Sequence, residues 1–286
     1  MIDDETTRRY REDGAVVLRG LLDAATVERL CDAVHTVLGS LSPHGNEYAK
    51  PGEARFAQDM FMAQRADAAG AAFRSLVVDS RLAETAGRLM GSRRVRFFYD
   101  QMFVKEPGAT APTPWHQDLP YWPLQGDQIC GLWCPLDRVD LDSGAVEYIR
   151  GSHLGGCWYR PRHFGGAAGY EGARGEPMPD IDAIVAPEDR LSWAMQPGDA
   201  IAFHGLVIHG AGGNRSAQRR RRAVSLRWMG DNAVFDDRPG TYPFDVTGQV
   251  PGTPLQGALY PQVWPKPRPH GEIARDLRRF IGGSEA

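Results

Sequence analysis

The sequence predicts a mainly β protein with flanking helices, built on a double-stranded β-helix, which is a jelly roll of two antiparallel sheets. Helical periodicity occurs only before Arg94, and from there onward apolar residues recur at every second position, which is the spacing of a strand. Many short strands behind two leading helices are typical of a jelly roll.

Two helices are expected in the N-terminal part, residues 1–92. Asp23 is a suitable N-cap, and apolar residues then recur at helical spacing until Gly39. A second helix is expected over residues 81–90. Residues 40–69 contain prolines and glycines with little periodicity, so we expect a long loop or short irregular helices there.

The jelly-roll core is expected over residues 93–231 of a single domain that covers residues 1–286. In its first strand, alternate residues share one face, namely Val95, Phe97, Tyr99, Gln101, Phe103 and Lys105. Further strands are expected over residues 128–139, 144–150, 198–209 and 221–229.

Two segments fall outside this regular pattern. Residues 154–196 lack periodicity, and because long irregular segments inside a domain are usually functional or disordered, we expect an inserted lid over the substrate. Residues 232–286 are expected to form a C-terminal extension.

Composition is that of a protein that acts on small molecules. The formal net charge of the 286 residues is only -3, which argues against a nucleic-acid or membrane partner. The four cysteines are too few and too irregularly spaced for a disulfide framework, so reduced thiols are expected. The N-terminus lacks the basic and apolar regions of a secretory signal, which predicts a cytoplasmic location.

Two histidines and one aspartate form a candidate metal site. His116 and Asp118 are two positions apart, so on a strand both would face the same side, and His209 follows the apolar stretch 200–208. Two imidazoles and one carboxylate leave open positions on Fe(II) for a co-substrate and O2. His204 is the rival distal ligand, but on a regular strand it would face away from His209, so we interpret it as structural.

Further motifs extend this pattern along the chain. They are Tyr10 to Gly20, His116 to Leu119 with Tyr121 to Pro123, Trp133, Asp142 to His153, Pro197 to Asp199, and His209 with Asn214 and Ser216. In order and spacing they resemble the phytanoyl-CoA dioxygenase family of Fe(II)/2-oxoglutarate oxygenases, over roughly residues 8–230.

The resemblance implies a reaction and its cofactors. It implies that His116, Asp118 and His209 are the catalytic metal ligands, with Fe(II), 2-oxoglutarate as co-substrate, and O2. The expected reaction is oxidation of a C–H bond in a small to mid-sized metabolite, including secondary metabolites, free or linked to coenzyme A or a carrier. Hydroxylation is the default outcome, with desaturation, cyclisation or epimerisation as alternatives, and a jelly-roll, cupin-like fold is implied.

The resemblance also implies an arginine that holds the distal carboxylate of 2-oxoglutarate. In the run 219–222, which opens a strand, Arg221 is favoured and Arg220 remains the alternative. Gln101, Trp133 and Ser225 are expected beside the co-substrate, although Gln101 and Trp133 could equally be structural.

Aromatic residues are expected to contact the substrate. Tyr121 and Trp122 directly follow the metal motif and would form the fixed side of the pocket, and Trp158 and Tyr159 would approach from the lid.

Two other classes of protein remain compatible with the triad. A cupin-like metal isomerase or lyase would need no arginine for 2-oxoglutarate. A non-catalytic metal-binding protein would be expected to fill the open coordination positions with its own groups. Binding of 2-oxoglutarate separates the oxygenase from both.

Overall fold

The computed structural model describes residues 2–164 and 169–266. Within these ranges the chain forms five α-helices, which are α1 (Asp4–Asp13), α2 (Ala24–Gly39), α3 (Ala68–Asp79), α4 (Leu82–Met90) and the short α5 (Ile181–Ile184). The strands in the same ranges are β1 (Ala15–Leu18), β2 (Asn46–Glu47), β3 (Phe56–Met60), β4 (Val95–Lys105), β5 (Thr113–His116), β6 (Leu124–Gln125), β7 (Ile129–Pro135), β8 (Val146–Ile149), β9 (Arg190–Leu191), β10 (Ala200–His204), β11 (His209–Ala211), β12 (Arg221–Met229), β13 (Val234–Phe235) and β14 (Gln262–Trp264).

Two antiparallel sheets form the core of the domain. The major sheet has the order β1-β10-β7-β12-β4-β3-β2, with β14 also paired to β4. The minor sheet has the order β5-β11-β8-β9, and β13 pairs with β6 separately. Strands adjacent in space are mostly distant in sequence, as the alternating course of a double-stranded β-helix requires. The predicted fold class is confirmed.

The N-terminal helices cover the outer face of the major sheet. Val34 and Val37 of α2 and Phe73 of α3 belong to the same buried cluster as Met102 of β4 and Leu132 of β7. Burying these apolar side chains stabilises the packing of helices on sheet, by about 1.5–3 kcal/mol for each fully buried large residue. The inner face of the sheet is thereby left for the functional site.

The predicted helices agree with the structure only in part. Helix α2 begins after the Asp23 cap, whose side chain accepts a hydrogen bond from the backbone N–H of Thr26, and α4 matches the second prediction. Helix α1 was missed because it is mostly charged and buries only Tyr10. The expectation of loop or irregular helix over residues 40–69 is wrong in part, because β3 is a fully buried strand beside β4.

A bulge in β4 corrects the prediction that alternate residues from Val95 to Lys105 share one face. Tyr99 pairs with Arg227 and Phe97 pairs with Trp228, so Phe98 is an extra residue on β4. The bulge reverses the alternation, and Phe97 therefore packs in the cluster beneath the helices. Residues after the bulge, from Tyr99 to Lys105, keep the predicted alternation.

The segments expected to be a lid and an extension are both joined to the sheets. Residues 165–168 of the lid and 267–286 of the extension lie outside the described residues. Of the rest, β9 pairs with β8 in the minor sheet, and β14 pairs with β4 in the major sheet. Phe244 and Tyr260 of the extension are buried in a second apolar cluster.

Two expectations from composition can be compared with the structure. All four cysteines are free thiols, and Cys130 and Cys134 are buried. None of the helices in the described residues is long and apolar enough to cross a membrane.

Lys105, at the end of β4, is fully buried. Its Nζ donates to the carbonyl of Gly212 at 2.6 Å and lies 4.4 Å from the centre of the Phe56 ring. Burial, with a further effect from the charge of Arg221, lowers the pKa of Lys105 to about 6. The side chain is therefore mainly neutral at pH 7.

We predict that Lys105 gives the wild type a rise in stability with pH that Lys105→Met lacks. Between the folded pKa of about 6 and the unfolded value of 10.5, the unfolded chain binds a proton on this residue that the folded chain does not. Stability therefore increases with pH across this window, by about 1.4 kcal/mol per pH unit. The measurement is urea unfolding of both proteins at pH 7, 8 and 9, with exposed Lys50→Met as control. A difference between wild type and Lys105→Met that stays constant with pH would contradict the lowered pKa.

Candidate metal centre

The two histidines of the triad are cross-strand neighbours in the minor sheet. His116 ends β5 and pairs directly with His209, the first residue of β11. Asp118 lies beyond the strand, in helical backbone conformation at φ -76° and ψ -45°, where it begins a 3-10 helix over Leu119–Tyr121. The prediction that His116 and Asp118 lie on one strand is therefore wrong, although the turn still brings the carboxylate back to the histidines.

The three side chains form a compact and buried cluster. Asp118 Oδ1 lies 3.5 Å from His116 Nε2 and 3.8 Å from His209 Nε2, and one ligand atom from each residue lies within 4.8 Å of the others. Two imidazole nitrogens and one carboxylate oxygen on one side of an ion are the donor set expected for non-haem Fe(II). The cluster therefore fits such an ion.

Backbone carbonyls fix the orientation of both imidazoles. His116 Nδ1 donates to the carbonyl of Pro114 at 2.8 Å, and His209 Nδ1 donates to the carbonyl of Val207 at 3.1 Å. Because a carbonyl can only accept, each Nδ1 carries the proton and each Nε2 is left with a free lone pair. Burial lowers the pKa of His209 to about 3, which keeps this ring neutral.

Arg227, which sequence reasoning missed, holds the aspartate. Its Nη2 and Nε lie 3.2 and 3.3 Å from Asp118 Oδ2, and its guanidinium lies 4.8 Å from the Tyr99 ring centre. Although burial opposes ionisation, the charge of Arg227 holds the pKa of Asp118 well below its usual range. Oδ2 is thus occupied and Oδ1 is left for the histidines. Arg227 could have been found from the alternation of side chains along β12, which places it on the same face as Arg221 and Ser225.

His204 is used elsewhere in the fold. Its Nε2 donates to the carbonyl of Asp127 at 2.8 Å, and its Nδ1 accepts from the backbone N–H of Leu206 at 3.1 Å. His209 was preferred because His204 would face away from it on one regular strand. That reason is wrong, because the two histidines lie on different strands in different sheets. Both ring nitrogens of His204 are nevertheless bonded to the backbone.

An inner chamber lies between the triad and β12. Arg221 is only 2% exposed, and neither its Nε nor the Oγ of buried Ser225 has a hydrogen-bond partner in the part of the chain that the structure describes. The Arg221 guanidinium lies 5.7 Å from the centre of the Trp133 ring. Gln101 also borders the chamber, and its Nε2 donates to the Oε1 of Gln58.

The other arginines of the run 219–222 point away from this chamber. Arg220 is exposed and donates to Glu106 at 2.8 Å. Arg219 and Arg222 pair with Asp140 and Asp137, respectively. Of these four, Arg221 alone points inward, because Arg219 and Arg220 precede β12 and Arg222 lies on the opposite face of the strand.

An outer cavity of about 370 Å³ opens on the other side of His116 and Asp118. Tyr121 and Trp122 line it, and Phe164 packs edge-on against His116 with ring centres 4.7 Å apart. Sequence reasoning missed most of its wall, because the contributing residues come from separate loops with no shared motif. These residues include Tyr48, Tyr170, Tyr242 and Phe244.

The two aromatic residues expected from the lid lie outside the lining of this cavity. Trp158 packs beneath Arg238, with the guanidinium 4.6 Å from its ring. Tyr159 lines a neighbouring cleft, and its backbone N–H donates to Gln117 Oε1 at 2.9 Å. The amide of Gln117 also donates to the carbonyls of Cys157 and Leu206, both at 2.9 Å. Gln117 thus ties the metal motif to the start of the lid segment.

Comparison with known proteins gives matches along most of the chain. A family model described as "Phytanoyl-CoA dioxygenase (PhyH)" matches residues 10–223. The human protein "Phytanoyl-CoA dioxygenase, peroxisomal" is 28% identical over 144 residues, which are 50% of this chain and 41% of that protein. "Multifunctional dioxygenase prhA" of Penicillium brasilianum is 27% identical over 237 residues, which are 78% of this chain and 71% of that protein. The region matched in the human phytanoyl-CoA dioxygenase is thus about two fifths of the length of that protein.

Solved structures match over nearly their whole length. The carbocyclase SnoK from nogalamycin biosynthesis aligns with a TM-score of 0.70 and 28% identity over 92% of this chain and 96% of that one. The epimerase SnoN, in complex with Fe3+, alpha ketoglutarate and nogalamycin RO, aligns with a TM-score of 0.67 and 26% identity over 91% of this chain and 98% of that one. Because the family model covers well over half of the residues and agrees with the motifs around the triad, the chain belongs to the phytanoyl-CoA dioxygenase family.

Proposed function

We propose that this protein is an Fe(II)- and 2-oxoglutarate-dependent oxygenase that acts on a C–H bond of a small to mid-sized metabolite. One observation carries the proposal: the cluster of His116, Asp118 and His209 borders a chamber that contains the buried Arg221, whose Nε has no hydrogen-bond partner among the described residues. A metal isomerase or a non-catalytic metal-binding protein would have no use for this cation. The relative SnoN has been solved in complex with Fe3+ and alpha ketoglutarate.

The triad would hold the iron through His116 Nε2, His209 Nε2 and Asp118 Oδ1. Iron in this site would supply the redox chemistry that couples decarboxylation of 2-oxoglutarate to oxidation of the substrate. The protein supplies two imidazole nitrogens, a carboxylate held ionised by Arg227, and a buried setting that limits access of water.

The inner chamber would bind 2-oxoglutarate. The Arg221 guanidinium can form two parallel hydrogen bonds to a carboxylate, and the Ser225 hydroxyl can donate a further one. Both groups lack a partner among the described residues, and burying unpaired polar groups is costly. A bound dicarboxylate would satisfy both, while Trp133 and Gln101 border the same space.

The substrate would enter through the outer cavity, which shares His116, Asp118 and Gln101 with the inner chamber. We propose hydroxylation as the outcome on a small molecule, free or linked to coenzyme A or a carrier. Cyclisation or epimerisation is the second candidate, because two structural relatives are named a carbocyclase and an epimerase. Product mass separates these outcomes, since hydroxylation adds one oxygen atom, cyclisation removes two hydrogen atoms and epimerisation leaves the mass unchanged.

The cytoplasmic location stays a prediction.

We predict that His209→Ala abolishes both iron retention and formation of succinate, whereas His204→Ala preserves them. Two remaining ligands cannot hold the ion in competition with water, whereas both ring nitrogens of His204 are hydrogen-bonded to the backbone, away from the triad. Iron per chain is measured after anaerobic loading, with circular dichroism to verify folding. Loss of iron in His204→Ala together with retention in His209→Ala would reverse the assignment.

The co-substrate site gives a second prediction. Arg221→Ala should lower the affinity for 2-oxoglutarate at least about tenfold with iron still bound, because truncating one partner of a buried charge pair costs roughly 2–5 kcal/mol. Calorimetric titration without oxygen measures this affinity. Arg220→Ala is the matched control, since it removes only an exposed ion pair with Glu106. Equal affinities in the two variants would exclude Arg221 as the clamp.

A third prediction concerns Arg227 as a positioning residue. Arg227→Met should weaken iron binding by about 10- to 100-fold, the usual effect of removing a group that orients a metal ligand. Competition with a chelator measures the iron affinity, and Arg227→Lys should restore part of it by returning the charge. Arg222→Met, on the same strand but paired with Asp137, is the control. Unchanged iron affinity in Arg227→Met would show that Asp118 is held without this partner.

A further inference from the structure

One wall of the outer cavity, the lid wall, consists of aromatic rings in mutual contact. The ring centre of Tyr121 lies 5.9 Å from that of Phe164 and 5.8 Å from that of Tyr170. Tyr48 joins this wall through Phe164, with ring centres 6.4 Å apart. The four rings form a continuous aromatic surface beside His116.

A second wall, the C-terminal wall, is formed mainly by residues after the core strands. The Phe244 ring centre lies 5.3 Å from that of Tyr242 and 5.1 Å from that of Tyr99. Within residues 2–164 and 169–266, no ring pair joins the lid wall to this wall. Both walls line the cavity, and they adjoin where the Tyr242 backbone N–H donates to the Tyr121 carbonyl at 2.8 Å. Aromatic rings therefore border the cavity on two adjoining sides, which suits a flat ring system because rings pack on rings in stacked or edge-on contact.

Hydrogen-bonding groups in the cavity are mostly uncharged. His44 Nδ1 and the Tyr242 hydroxyl are hydrogen-bonded at 2.9 Å, and both side chains are half-buried in the cavity lining. Deeper in the cavity, the amides of Gln58 and Gln101 are bonded to each other. Such groups can exchange hydrogen bonds with a hydroxyl or carbonyl group of a guest.

Few cationic side chains belong to the described lining of this cavity itself, although Arg160 lines the neighbouring cleft together with Arg162 and His163. Among the described residues that line the outer cavity, the basic side chains other than His44 and the triad's His116 are Arg162 and His163, and both are exposed. Arg221 belongs to the inner chamber, and Arg227 is bonded to Asp118. The phosphates of a coenzyme A thioester would call for a cluster of arginines or lysines, which this lining does not provide.

We infer that the outer cavity binds a neutral, flat, polycyclic molecule bearing a hydroxyl or carbonyl group in preference to a coenzyme A thioester. The rings would pack against the lid wall and the C-terminal wall, and the polar group would bond to the pair of His44 and Tyr242. This inference rests on the proposed function, because it assigns the substrate class of the same site.

Binding of three probes tests this inference. The probes are 2-hydroxyfluorenone, whose hydroxyl and carbonyl are too far apart to chelate a metal, the anionic fluorenone-2-carboxylate, and palmitoyl-CoA. Each is titrated into protein loaded with Fe(II) and 2-oxoglutarate without oxygen, and quenching of intrinsic fluorescence gives its Kd. We expect 2-hydroxyfluorenone to bind at least about tenfold more tightly than the other two, an advantage of about 1.4 kcal/mol.

Variants connect this binding to the cavity. Tyr242→Phe should weaken binding of 2-hydroxyfluorenone about fivefold by removing one hydrogen bond, and Phe244→Leu about tenfold by removing a ring contact. Tyr10→Phe, which removes a buried hydroxyl on α1, is the control and should bind as the wild type does.

The outcomes separate this inference from the proposed function, because 2-oxoglutarate affinity is measured in the same preparations. Tighter binding of palmitoyl-CoA, or binding of 2-hydroxyfluorenone that neither Tyr242→Phe nor Phe244→Leu weakens, overturns the substrate class in protein that still binds 2-oxoglutarate. Binding of 2-hydroxyfluorenone as expected, in protein that fails to bind 2-oxoglutarate, supports the substrate class and contradicts the oxygenase.

Discussion

The buried ion pair between Arg227 and Asp118 is the contact on which the arrangement of the site depends. Arg227 belongs to the major sheet, and Asp118 lies in the turn after β5 of the minor sheet, so the pair joins the two halves of the jelly roll at the metal centre. Removing two charges from water is costly, and a buried pair persists only where its geometry satisfies both partners. The carboxylate is thereby held in one orientation, with one oxygen bonded to Arg227 and the other facing the two histidines.

The alternation of a single strand then determines how the interior is divided. Strand β12 directs Arg221, Ser225 and Arg227 to its inner face, so one strand lines the inner chamber and also holds Asp118. The bulge at Phe98 gives β4 a matching inner face, on which Tyr99 and Gln101 border the outer cavity. Helices α2 and α3 bury the opposite face of the major sheet, which keeps this wall rigid.

Features of the fold and the site could be predicted from the sequence where they depend on residue type or on the periodicity of neighbouring residues. The triad and the α2 cap depend on residue type and short spacing, so both could be predicted. The conformation at Asp118, the separation of His204 from His209 and the reversal at Phe98 could not, because each depends on a turn or bulge within an apolar run. Tyr121 and Trp122 could be assigned to the wall of the outer cavity because they directly follow the metal motif. The rest of the wall could not be predicted, since Tyr48, Tyr242 and Phe244 meet only after distant loops pack together.

Gln117 lies between His116 and Asp118 in the chain, and its side chain is bonded to three backbone groups on other segments. Two of these groups belong to Cys157 and Tyr159 at the start of the lid segment, and the third is the carbonyl of Leu206, three residues before His209. Local opening of this region must break these bonds together, which frees the backbone between His116 and Asp118 at the same time. The start of the lid segment and the metal motif therefore form one cooperative unit, and the free energy of opening one includes the free energy that keeps the other in register.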